Sequence, residues 1–281
     1  TSKQDPALLD IGHKTNGPVR RRNEPQRKLT TTTTIMTSKR KEKRWFPLES
    51  NPDLLNKYVS KLGFDTSKYS FVDVFSTEDW AIDMIPQPAA AVLMLYPITD
   101  AQEAHRSREA AEVVPAQAPS VPPEIWHVKQ RIGNACGTVG ILHAIANSPR
   151  VVRDGAVTSG SWLDRYYARC PPSASPDAKA DELENDSEIE ERHDEATSSE
   201  TNATERGDID DGVDTHFAAF ANVGGGLWEL DGRKKAPIRH GDTDPDAFLR
   251  DACGVVRKFM ERDPGEMRFT ILALAPNQGG G

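Results

Sequence analysis

Charge is segregated along this chain, and the segregation limits where a core can form. Residues 1–44 carry 12 Lys/Arg against 4 Asp/Glu, a net of +8. Residues 171–214 carry 16 Asp/Glu against 3 Lys/Arg, a net of −13. Both stretches are poor in large apolar side chains, so both are expected outside the folded core. The remainder has a net of only −3 and contains the apolar runs. A chain of 281 residues leaves room for one large domain or two small ones. Phosphate binding needs a basic surface on the folded part, so this distribution argues against nucleic acid as a partner.

Residues 1–43 are expected to be a disordered basic extension, and the threonine run Thr30 to Thr34 matches no helical or strand pattern. Met36 is a candidate translation start, with an upstream extension before it. The basic string from Lys39 to Arg44 is either a solvated tail or a nuclear address. Order is expected from about residue 44. In "ESNPDLLNKYVSKLGF", Asn51 can cap a helix, Pro52 suits its first turn, and Leu54, Leu55, Tyr58 and Leu62 share one face before Gly63. "SFVDVFS" and "AAAVLMLYPI" read as strands; the second is apolar throughout and is expected at the centre of a sheet. The polar, then Pro-rich stretch between Thr99 and Ile125 reads as a loop.

A buried helix is expected from Cys136 to Ala146, with His143 packed inside it. "SGSWLDRYYARC" predicts another, capped near Ser161. The acidic stretch 171–214 allows a short helix, then takes on the composition of a mobile loop. "VDTHFAAFANV", glycines 224–226 and "LWELDGRK" read as strand, turn, strand. A helix over about 245–261 and a last strand in "RFTILALAP" follow. Hairpins and long crossings, not a βαβ series, predict an α+β fold with a largely antiparallel sheet.

The three cysteines, Cys136, Cys170 and Cys253, form no CxxC and no zinc-type cluster. Neither a disulfide framework nor a metal site is expected, and no cofactor. No apolar run is long enough to span a membrane, and the N-terminus lacks a secretory core. The expectation is a reduced intracellular protein.

Cys136 stands at a predicted helix start, where the dipole and a nearby imidazole would favour the thiolate. Gly137 lets backbone and substrate approach closely. A backbone N–H at the helix start could supply half of an oxyanion hole, and the amide of Gln130, six positions before the cysteine, the other half. His216 lies on a predicted strand, and Asp231 lies on the next strand of the hairpin, within reach to orient an imidazole. None of these signals is specific by itself. A free cysteine is more often a small buried hydrophobe.

The strings "RWFPLESNPDLLNKYVSKLG", "KQRIGNACGTVGILHAIAN" and "VDTHFAAFANVGGGLWELDGRK" together closely resemble the ubiquitin C-terminal hydrolase family, peptidase C12, with similarity from about Arg44 to Ala275. The resemblance implies a papain-like cysteine hydrolase fold, a central antiparallel sheet flanked by helices and a knotted backbone. It implies Cys136 as nucleophile, His216 as general base, Asp231 as orienting carboxylate and Gln130 as oxyanion donor. Glu49, Asp53 and Asp73 match family positions that contact ubiquitin or its arginine-rich tail; Asp53 also suits a helix start for its dipole alone. The implied activity is hydrolysis of amide, ester or thioester adducts after the C-terminal glycine of ubiquitin, by a monomer in the cytoplasm, with the nucleus and ubiquitin-like proteins as extensions. A ubiquitin-binding protein with negligible turnover and a cysteine hydrolase with another substrate are the alternatives. Residues 171–214 match the crossover loop over the family's active site, which would pass small or unfolded leaving groups; a plain acidic spacer is the other reading. The N-terminal 43 residues have no counterpart in the short family members.

Overall fold

The computed structural model describes residues 43–198, 209 and 212–277. The expectations for residues 1–42, including disorder, Met36 and most of the basic string, lie outside the described residues, as does the rest of the crossover segment.

The elements run, in chain order, α1 (Pro52–Lys61), β1 (Tyr69–Asp73), α2 (Asp79–Ile82), β2 (Ala91–Pro97), α3 (Asp100–Gln117) and a 3-10 turn at Ala118–Ser120. There follow α4 (Cys136–Ala146), α5 (Pro149–Arg153), α6 (Trp162–Arg169), α7 (Pro176–Asn185) and α8 (Ser187–Thr197). The chain then forms β3 (Thr215–Val223), β4 (Gly226–Leu230), β5 (Ile238–Asp242), α9 (Phe248–Glu261) and β6 (Thr270–Pro276).

One six-stranded sheet has the order β1-β6-β2-β3-β4-β5, and every neighbouring pair is antiparallel. This is the α+β fold expected. β2 lies between β6 and β3, and its side chains alternate between two cores. Ala91 and Leu93 join the core built with α1, α4 and α6. Val92, Met94 and Tyr96 join the core built with α9. Phe217 and Ala219 of β3 face the first core, Ala218 and Phe220 the second. Helices therefore cover both faces of the central strands, which is why "AAAVLMLYPI" lacks the apolar–polar alternation of a half-exposed strand.

Local chemistry sets the helix starts. Asn51 Oδ1 accepts from the backbone N–H of Asp53 (2.9 Å) and Leu54 (3.3 Å), and Gly63 ends the helix at φ +97°. Ser161 Oγ accepts from Asp164 N at the start of α6.

One expectation needs correction. The stretch after Thr99 is not a loop: Thr99 Oγ1 accepts from Gln102 N and caps the 18-residue α3. Its Ala, Glu, Gln and Arg content favours helix. No apolar face announced it, because α3 docks through polar groups; Gln102 Nε2 donates to Phe259 O at 2.7 Å and the carboxylate of Glu109 is buried. Pro115 stands inside it, near its C-terminal end.

Within the acidic segment the short helix that the sequence allowed is present, as two helices, α7 and α8. Ser175 and Asp186 cap them, and Leu183, Ile189 and Ala196 reach the main core. Few apolar residues suffice, because each lands on the inner face. His193 of α8 hydrogen-bonds Thr138 Oγ1 of α4 at 2.9 Å, and Tyr58 of α1 bonds the same hydroxyl at 3.0 Å. β5 was also missed; it is short, carries polar residues and pairs with β4 across a register shift.

Candidate active site

α4 is buried along almost its whole length, from Cys136 to Ile145. Ala135 precedes it without a side-chain cap, so the first N–H groups of the helix converge near the Cys136 thiol. Asn134 turns the chain into this start at φ +61°, the left-handed region that asparagine tolerates. Gly137 is where the helix passes closest to its neighbours: a Cβ there would lie 3.0 Å from Leu48 Cβ and 3.5 Å from the Phe217 ring.

β3 brings His216 to the thiol. The imidazole stands near enough to the thiol to lower its pKa, and the thiol to raise that of the imidazole, and His216 Nε2 donates to Asp231 Oδ1 at 2.6 Å. Nε2 being so engaged, Nδ1 is the nitrogen left for sulfur. Asp231 follows β4 directly and is fully buried. Oδ1 also accepts from Arg233 N at 2.7 Å, and Oδ2 from the Tyr96 hydroxyl at 3.3 Å. His127 Nε2 donates to the Asp231 carbonyl at 3.0 Å.

Electrostatics favour an ion pair. Burial alone would push the Cys136 thiol up, but the hydrogen bond and charge of His216, with the N–H groups of Phe217 and Gly137, hold it below the usual thiol range. Burial opposes charge on His216 too, yet Asp231 outweighs it and raises the imidazole to about 9. Asp231 itself is buried, but His216 holds its carboxyl well below the usual carboxylate range. His216 thus favours the thiolate, and Asp231 favours the imidazolium. The other two thiols differ: burial pushes Cys170 up, and Cys253 up to about 11.

Gln130 is part of the same wall. Its backbone N–H donates to Gly232 O at 2.9 Å. A Cβ on Gly232 would lie 2.8 Å from Gln130 Cβ, so only glycine fits after Asp231. The Gln130 amide donates to Ile132 O at 3.2 Å, and its Oε1 is buried without a partner among the described residues. His143 is the packed core residue expected, accepting from Val128 N at 3.0 Å and stacked on His127.

Glu49 lines a cleft of about 430 Å³ with Pro47, Leu48, Leu95 and Thr215, the residue before His216. Asp53 and Asp73 form a separate acidic pair; burial first, then the charge of Asp53, raises the Asp73 carboxyl. Tyr96 and His127 were missed in the sequence. Nothing marks them there, since each becomes relevant only through the fold around Asp231.

A buried thiol–imidazole–carboxylate chain, with the thiol at a helix start and the imidazole on an antiparallel sheet, defines a cysteine-hydrolase type of site. Residues 45–261 match the family described as ubiquitin carboxyl-terminal hydrolase, family 1 (peptidase C12), and the chain belongs to that family. It is 40% identical over 234 residues to ubiquitin carboxyl-terminal hydrolase 3 of Arabidopsis thaliana, covering 83% of this chain and 94% of that one. It is 38% identical over 228 residues to the human ubiquitin carboxyl-terminal hydrolase isozyme L1, covering 81% and 96%. The fold is similar to the solved Trichinella spiralis UCH37 catalytic domain bound to ubiquitin vinyl methyl ester, with a TM-score of 0.66 at 18% identity over 84% of this chain and 97% of that one.

Proposed function

We propose that this protein is a deubiquitinating thiol hydrolase that cleaves amide, ester or thioester bonds after the C-terminal glycine of ubiquitin. The observation that carries the reading is the buried grouping of the Cys136 thiol with His216, which is itself hydrogen-bonded to Asp231. The Cys136 thiolate attacks the glycine carbonyl, and His216 passes its proton to the leaving amine. Water then attacks the thioester, giving its proton to His216, and the free carboxylate leaves. Asp231 keeps the imidazole oriented and stabilises its charged form.

The developing oxyanion meets the Gln130 amide and the N–H groups at the start of α4. Gln130 Nε2 exchanges the Ile132 carbonyl for the acyl oxygen. The cleft beside Thr215 suits a narrow peptide tail, and Asp53 with Asp73 supplies negative charge for its arginines. The names of the relatives, and the ubiquitin derivative in the UCH37 structure, support ubiquitin as the substrate.

Hydrolysis of a fluorogenic ubiquitin amide, against a generic peptide amide, tests the reading. The expected result is turnover of the ubiquitin amide alone, abolished in Cys136→Ala while ubiquitin binding persists. Binding without turnover in the intact chain makes it a ubiquitin-binding protein. Turnover of the peptide alone makes it a cysteine hydrolase with another substrate.

A further inference from the structure

A buried ionic cluster lies directly behind Asp231. The Lys234 side chain is only 5% exposed, and its Nζ is 2.6 Å from Glu229 Oε1 and in contact with Glu109 Oε2. Glu229 is fully buried and its Oε2 accepts from His240 Nε2 at 2.8 Å. On the α3 side, His105 Nε2 stands 3.7 Å from Glu109 Oε1. From α9, Arg262 stacks over the Phe259 ring at 3.8 Å, and Lys234 Nζ approaches that ring at 5.8 Å.

The cluster is joined to the site by two routes. Lys234 N donates to Asp231 O at 3.0 Å, closing the turn that carries the carboxylate. The Tyr96 ring stands edge-on to Phe259 at 5.1 Å and to His216 at 5.7 Å. Further out, Arg233 pairs with Glu103, which also holds Arg106. Three buried carboxylates, those of Glu109, Glu229 and Asp231, therefore share this interior, and among the described residues Lys234 is the one buried lysine or arginine in contact with two of them.

We propose that Lys234 is a positioning residue whose charge, between Glu109 and Glu229, sets the electrostatic potential at the Cys136–His216 pair. The inference rests on the reading of that pair as nucleophile and base. In a site closed to water a charge acts over a longer distance than it does at the surface. Without the ammonium, Glu109 and Glu229 make the potential more negative. A more negative potential disfavours the thiolate and favours the imidazolium, so both ionisations move to higher pH. The burial of Lys234 opposes its charge, but Glu229 and Glu109 more than offset this, so the ammonium persists.

The test is a pH series on three full-length variants: Lys234→Met, Glu109→Gln and the pair combined. Two quantities are read: the rate at which iodoacetamide alkylates Cys136, and kcat/KM for a fluorogenic ubiquitin amide. Lys234→Met should shift both limbs of the kcat/KM profile upward and slow alkylation on the acid side by about three- to tenfold. Glu109→Gln should shift both limbs downward, and the double variant should return towards the wild-type profile. Limbs that stay in place while activity falls at every pH overturn the proposal and leave Lys234 a structural anchor. So does a double variant that keeps the Lys234→Met profile. If Lys234→Met fails to fold, Glu109→Gln decides alone: no downward shift overturns the proposal. Alkylation needs no ubiquitin. A chain whose thiol titrates as described but leaves the ubiquitin amide intact would therefore refute the proposed function and not this inference.

Discussion

On α7 and α8 the carboxylates face water and meet basic partners from neighbouring segments: Lys129 with Asp177, Arg131 with Asp181, Arg165 with Glu188 and Arg169 with Glu182. Behind His216 the carboxylates of Asp231 and Glu229 are fully buried and that of Glu109 is 5% exposed. The first group accounts for the acidic run so visible in the sequence. Solvent screens it, and exposed pairs of this kind contribute about 0–1 kcal/mol each. The second group is few in number and spread over α3, β4 and the turn after it. Each member is held by specific partners, and losing one leaves an uncompensated buried charge, worth about 3–5 kcal/mol in comparable cases. What a carboxylate does here follows from its burial, not from the local density of acid in the chain.

The largest expected break in this contrast comes from Asp231→Asn. The amide cannot stabilise the His216 imidazolium, and kcat for a ubiquitin amide should fall by about 10⁴. A loss below tenfold in steady-state kinetics would place Asp231 outside the mechanism. Next comes Gln130→Ala, which removes a donor needed only as charge develops. It should lower kcat by about 10²–10³ with little change in KM; a change confined to KM would make Gln130 a binding residue.

The pH profile sharpens the same point. Asp231 raises His216 to about 9, so kcat/KM should stay on a plateau through neutral pH and fall about tenfold per unit above that value as the imidazolium is lost. The stability linked to this group has the same sign. It is fully present below the ordinary histidine range of about 6.5 and is lost as pH rises through about 9. A base limb near the ordinary histidine value in a rate–pH titration would dissolve the coupling to Asp231. The smallest effect is expected on the surface. Asp177→Asn with Asp181→Asn should leave kcat/KM unchanged and move the melting temperature by no more than about 2 °C. A tenfold loss of activity in that variant would erase the distinction between the two groups.

Residue order alone determined the parts of this protein whose chemistry is local. Asn51 before Pro52 starts α1, Ser161 starts α6, and the apolar run of β2 needs cover on both faces. The family resemblance also lies in the order of residues, and with it the roles assigned to Gln130, Cys136, His216 and Asp231. Tertiary structure decided what depends on contacts between distant segments. α3 was illegible because it docks through Gln102 and Glu109 instead of an apolar stripe. α7 and α8 were legible only as one short helix, because three or four well-placed apolar residues outweigh a highly charged composition once a core exists to receive them. The partners of Asp231 come from positions as far apart as Tyr96 and Arg233, and the Lys234 cluster draws in α3. A buried charge is stable only where several elements close over it together, and no window of sequence contains all of them.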